Sequence, residues 1–165
     1  MNTNTADTKF RIIPYLISLV ITLGIGGVAS IFTRPEIAGW YSTLKKPGFT
    51  PPPWLFPVAW TLLYFLIATA AYLIWKRRDS STTYKTAAYI YAVQLLLNFS
   101  WSIVFFGMHQ VLAALIIIIL LLVAIILNIN WFGRCSKTAA WLLVPYGLWV
   151  GFAMVLNLSI YIINK

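Results

Sequence analysis

Five apolar stretches run through this chain, at about 12–32, 54–75, 87–107, 111–132 and 139–163, and none holds an acidic or basic side chain. A helix rises about 1.5 Å per residue, so each is long enough to cross a hydrocarbon core of about 30 Å. Helices satisfy their own backbone in lipid, which makes a single five-helix membrane bundle over residues 1–165 the expected all-α fold. A soluble domain could not cover such a surface: 61% of the 165 residues are hydrophobic and only 9% are charged. The first stretch is too long, and followed by too many others, to read as a cleaved signal peptide.

The net charge of +9 does not point to nucleic acid, because the cations sit in short clusters between the stretches. Their placement fits membrane topology and contact with anionic lipid head groups. Eight of the twelve Lys and Arg residues fall on the side of the N-terminus: Lys9, Arg11, Lys76, Arg77, Arg78, Lys85, Arg134 and Lys137. Arg34, Lys45, Lys46 and Lys165 fall on the other, so the expected topology is N-terminus in and C-terminus out. Residues Met1–Lys9 read as a polar, disordered or interfacial leader. The lone Cys135 reads as an incidental loop residue.

The polar groups inside the spans are mainly amides and indoles at helical spacing. One face of the third span carries Gln94, Asn98, Trp101 and Phe105, and one face of the fifth carries Pro145, Trp149, Ala153 and Asn157. A face of the second carries Trp60, Tyr64, Ala68, Ala71 and Trp75. Trp101 lies about 5 Å outward of Asn98, and Asn157 roughly 9 Å outward of the middle of its span. Trp60 lies a similar distance inside the outer end of the second span. These groups therefore cluster in the outer half of the bundle, and a pocket there would be mostly apolar with a few placed polar groups. Membrane amides also serve simply to join helices, so that reading stands beside the binding one. Gly24, Gly26, Gly27 and Ser30 give the first span a small-residue face for close packing.

Above this half lies the longest connection, 34–53. Four prolines within Pro47–Pro53 fix φ and exclude helix, which predicts a stiff extended strap with Trp40, Tyr41, Phe49 and Trp54 beneath it. It reads either as an interfacial aromatic belt or as a lid over the bundle mouth, with Trp40, Phe49, Pro51 and Pro52 as lid residues. The other connections are short, which predicts sequential helices packed as neighbours.

No acid–base pair and no activated nucleophile emerges. His109 reads as a solvated turn residue, which leaves axial histidine ligation of a haem inside the bundle without a ligand. No metal and no obligatory cofactor are expected. Five spans without a repeat and without intramembrane charge also lack the parts of a coupled transporter.

Several motifs lie in register with these spans. They are Trp40-Tyr41, Leu44-Lys45-Lys46-Pro47 and Pro51-Pro52-Pro53-Trp54, then Gln94 to Asn98 with Trp101 and Phe105-Phe106, and Pro145-Tyr146, Trp149, Phe152-Ala153 and Leu156-Asn157. Together they cover nearly the whole chain, and in them it resembles the TspO/MBR family, the translocator proteins also called peripheral benzodiazepine receptors. The resemblance implies a five-helix bundle, usually a homodimer, that binds porphyrins and benzodiazepine-type ligands beneath the first loop. It implies pocket roles for Trp54, Tyr64, Asn98, Trp101, Trp149, Ala153 and Asn157. It also implies membrane-lipid partners and tetrapyrrole, haem-type or sterol-like ligands. The expected function is a sensor, regulator or carrier, with light-dependent porphyrin breakdown or transport as alternatives. Leu156, Tyr161 and Lys165 fit a sterol-recognition pattern, and Ala88 with Ala92 a dimer contact. Gly48-Phe49 departs from the Ser-Trp pair common in the family, so one lid aromatic differs.

Overall fold

The computed structural model describes residues 10–165; the leader Met1–Lys9, with Lys9 of the charge count, lies outside the described residues. The described residues form helices and no strand. Helix α1 spans Ile12–Ala38, α2 Trp40–Thr43, α3 Leu55–Lys76, α4 Thr82–Ser102, α5 Val111–Cys135 and α6 Lys137–Ile163. A π-turn, Ile103–Gly107, prolongs α4. Five helical segments, counting α1 with α2 and α4 with its π-turn, are long and apolar enough to cross a membrane.

Two helices depart from the apolar runs at the end away from Phe10. Helix α1 continues six residues past Phe32, through Arg34, Pro35 and Glu36, and α2 follows at once. The connection expected over 34–53 is therefore non-helical only from Leu44 onward, and the proline-rich part 47–53 holds no helix. A single proline in a last turn removes one backbone donor, a small loss beside the hydrogen bonds that the remaining residues keep. The π-turn was not foreseen. Its wider repeat lets the consecutive Phe105 and Phe106 both point inward, 2% and 7% exposed.

The helices close a ring in the order α1, α3, α6, α5, α4, with α4 returning to α1. Helices α3 and α4 are joined by the short turn 77–81, yet α3 packs mainly on α1 and α4 mainly on α5, rather than on each other. Five extended residues reach roughly 17 Å. A short loop thus skips a neighbour, against the expectation that sequential helices pack together.

The centre is filled by Ile67, Ile118, Leu121, Ile125, Leu143, Tyr146 and Val150, all below 2% exposed. Helix α1 is the least embedded wall: only Thr22 and Ala29 are buried, and Val20, Ile13 and Ile31 face outward. Polar side chains tie it in. The Ser18 hydroxyl donates to the Ala68 carbonyl at 2.7 Å, and Thr22 pairs with the Tyr91 hydroxyl at 2.9 Å. Gly26 allows the closest approach, since a Cβ there would lie 2.2 Å from the Tyr64 ring.

Candidate functional site

Between α1 and α3, at the end of the bundle that carries the strap, lies a cavity of about 540 Å³. Its volume falls in the range of small-molecule sites, roughly 300–1,000 Å³. The small residues of α1 make one wall, with Gly26, Gly27, Ala29 and Ser30 leaving the room. Facing them are the rings of Trp60 and Tyr64 from α3 and of Trp101 and Phe106 from α4 and its π-turn. Tyr41, Pro53 and Phe56 form the roof, and Arg34 stands at the rim. The space exists because α1 keeps glycine and serine where the large opposing side chains are aromatic.

The amides brace this wall. Asn98 accepts from the Tyr64 hydroxyl at 2.9 Å and donates to the Tyr146 hydroxyl at 3.1 Å, joining α3, α4 and α6 across the ring. Asn157 accepts from the Trp101 indole N–H at 3.2 Å and donates to the Val111 carbonyl at 3.0 Å. Each carboxamide has both its oxygen and its nitrogen engaged by protein. They set the orientation of Tyr64 and Trp101, and those rings border the cavity. Phe105 stacks against Trp101, with ring centroids 5.5 Å apart.

The donors left over decide what the cavity accepts. The hydroxyls of Ser30, Thr33 and Thr61 donate to carbonyls of their own helices. Among the described residues, the Arg34 guanidinium, the Trp60 indole N–H, the Tyr41 hydroxyl and the Ser102 hydroxyl take no partner. No acidic side chain borders the cavity. Glu36, two residues from Arg34, is turned to His109 at 3.0 Å. The site thus offers ring faces, unengaged donors and one cation. It is not free of charge, as the spans alone suggest, because Arg34 lies just beyond the first apolar run.

Of the residues expected at the site, the structure brings Trp60, Tyr64 and Trp101 to the cavity wall. Asn98, Asn157 and Phe105 stand behind that wall. Trp149 packs against Phe56 and Phe152, and Ala153 is buried, but neither borders the cavity. Gln94 is 1% exposed, with no partner for either amide atom among the described residues. Trp54 is 65% exposed and faces outward. In the sterol pattern, Leu156 is buried while Lys165 is exposed, so the three residues do not share one outer face. Tyr41, expected beneath the strap, does border the cavity, whereas Arg34 and Ser102 were not expected there; the signal for Arg34 was its place one turn past Ser30 on the same helix.

The strap is fastened at two points. Asn164 accepts from the Lys45 N–H at 3.0 Å and donates to its carbonyl at 2.8 Å, tying the strap to the end of α6. Trp40 stacks on His109 at 4.3 Å, and Glu36 holds the same imidazole. His109 has φ 57°, a left-handed conformation that aims its ring back across the turn. In its exposed turn it therefore also acts as a clasp. The Lys46 ammonium donates to the carbonyls of Tyr41, Ser42 and Leu44, closing the end of α2. Phe49 touches Phe152 edge-on at 6.2 Å, while Trp40, Phe49, Pro51 and Pro52 do not border the cavity. Tyr41 and Pro53 do.

The TspO/MBR family model matches residues 16–162. Over 154 residues the chain is 44% identical to the tryptophan-rich protein TspO of Archaeoglobus fulgidus, covering 93% of this chain and 99% of that protein. It is 36% identical over 125 residues to the tryptophan-rich sensory protein of Cereibacter sphaeroides, covering 76% and 77%. It is 34% identical over 136 residues to the translocator protein of Homo sapiens, covering 81% and 80%.

Proposed function

Because the chain belongs to the TspO/MBR family, we propose that this multi-pass membrane protein is a receptor for flat, apolar, carboxylate-bearing ligands of the tetrapyrrole kind. The observation that carries this reading is the make-up of the cavity between α1 and α3: aromatic faces, unengaged donors, one cation and no acid. A planar ring system stacks on Trp60, Tyr64 and Trp101, and an acidic edge meets Arg34 at the rim. A neutral sterol would leave that cation without a partner.

The protein's part is to bind, orient and shield. Asn98 and Asn157 keep the wall rings in place, so a ligand meets a surface already ordered and less is lost on binding. The amides do not take the ligand themselves. Sensing or buffering suits this site better than coupled transport, since the spans hold no charge that could couple to an ion. The printed name of the Cereibacter sphaeroides relative, a sensory protein, points the same way.

The test is a titration of the purified protein with a dicarboxylic porphyrin and with its dimethyl ester, followed by absorbance. Both should bind, the acid about fivefold or more tightly, and Arg34→Gln should bring the two together. Absence of binding by either compound would overturn the reading.

A further inference from the structure

A second opening lies at the opposite end of the bundle, where α3 and α4 fail to meet. It is a groove of about 250 Å³, open to the outer surface, walled by Ile17 and Ile21 of α1, Tyr72 and Trp75 of α3, and Tyr84 and Ala88 of α4. Its hydroxyls are largely engaged within the protein. Tyr72 accepts from the Arg11 N–H at 2.8 Å, Tyr91 pairs with Thr22, and Ser18 donates to Ala68. The walls therefore present ring faces and alkyl carbon, with the Tyr84 hydroxyl left toward the mouth.

That mouth is basic. The Arg78 guanidinium lies 3.9 Å from the centroid of Trp75, one of the wall rings. The Lys76 ammonium lies 6.0 Å from that of Tyr72, another. Lys85 follows Tyr84 and stands one turn before Ala88, both in the wall. Among the described residues at this end only Asp79 is acidic. Ser81 holds it through its backbone N–H and hydroxyl, at the start of α4.

We propose that this groove is a binding site for an anionic phospholipid, with an acyl chain between α1, α3 and α4 and the phosphate at Arg78 and Lys85. An apolar slot that opens into lipid suits a hydrocarbon chain, and a cationic mouth with one occupied acid suits a negative head group. The site is separate from the cavity beneath the strap and does not depend on what binds there. The rival occupant is a second copy of this chain packed over Ala88 and Ala92.

The full-length protein in detergent, titrated with phosphatidylglycerol or with phosphatidylcholine of the same chains and read by native mass spectrometry, tests this. Phosphatidylglycerol should bind at least about fivefold more tightly. The pair Arg78→Gln and Lys85→Gln should abolish that preference. Arg134→Gln with Lys137→Gln removes the same charge from the end of α5 and the start of α6, where Arg134 lies on Trp131 rather than on a wall ring, and should leave the preference intact. Ala88→Phe should weaken retention by filling the slot. Equal binding of the two lipids in the unaltered protein would overturn the proposal, as would equal losses in the two charge pairs. So would an Ala88→Phe protein that loses dimers while keeping its lipid.

Discussion

Asn98 joins three helices with one side chain, and its value lies in what its removal strands. Without it the hydroxyls of Tyr64 and Tyr146, 8% and 0% exposed, are left buried and unpaired. Asn98→Leu should therefore cost about 1–3 kcal/mol and lower the thermal midpoint of the detergent-solubilised protein. Adding Tyr64→Phe should cost less than the sum of the two single changes, because they share a bond. An unchanged midpoint in Asn98→Leu would contradict the bracing role. The sequence exposed Asn98 and Asn157 as unusual, since an amide in an apolar span stands out. Their partners were not legible, because spacing along one helix does not say which hydroxyl on another helix faces it.

At the scale of elements, the strap and the end of α1 were read least well. Prolines announced an extended segment, but Pro35 stands alone among good helix positions, and α1 runs through it to Ala38. The extension matters, because it carries Arg34 to the rim and Glu36 to His109. Nothing in the local pattern marked Asn164 as the strap's second fastening, since its partner Lys45 lies 119 residues away. Asn164→Ala should release that fastening: amide hydrogen exchange should quicken over 44–53 while α3 to α6 keep their protection. Equal exchange in both proteins would show that the His109 clasp holds the strap alone. At the other end, the Ser81 hydroxyl accepts from the Tyr84 N–H as the N-cap of α4, and Ser81→Ala should cost about 1 kcal/mol. Asp79 supports that cap, and its bonds from Ser81 hold its carboxyl below the usual range. Its contribution should be full above the ordinary carboxylate range, begin to fall as pH drops into that range, and be gone once pH passes below the depressed folded value.

Across the whole molecule, the five spans and the helical class were legible from length and composition alone, because lipid leaves a chain few other choices. The ring order was not. A loop as short as 77–81 fits a neighbour or a helix one place further on, and only packing decides. That choice leaves two openings at opposite ends, one beneath the strap and one beside the basic turn. With the N-terminus in, a membrane-impermeant maleimide applied to intact cells should label a cysteine placed at Lys165 and spare Cys135. The reverse pattern would invert the topology. The central claim concerns the larger opening: ligands enter the space that small residues of α1 leave before Trp60, Tyr64 and Trp101. Gly27 borders that space, and a Cβ there meets nothing within 4 Å, so a larger side chain starts in open space and takes up room in the cavity. The most direct measurement is the affinity of Gly27→Phe for a dicarboxylic porphyrin beside that of the unaltered protein, with helix content and thermal midpoint matched. Loss of binding at least about tenfold is the predicted result; an unchanged affinity in the folded variant would contradict the account.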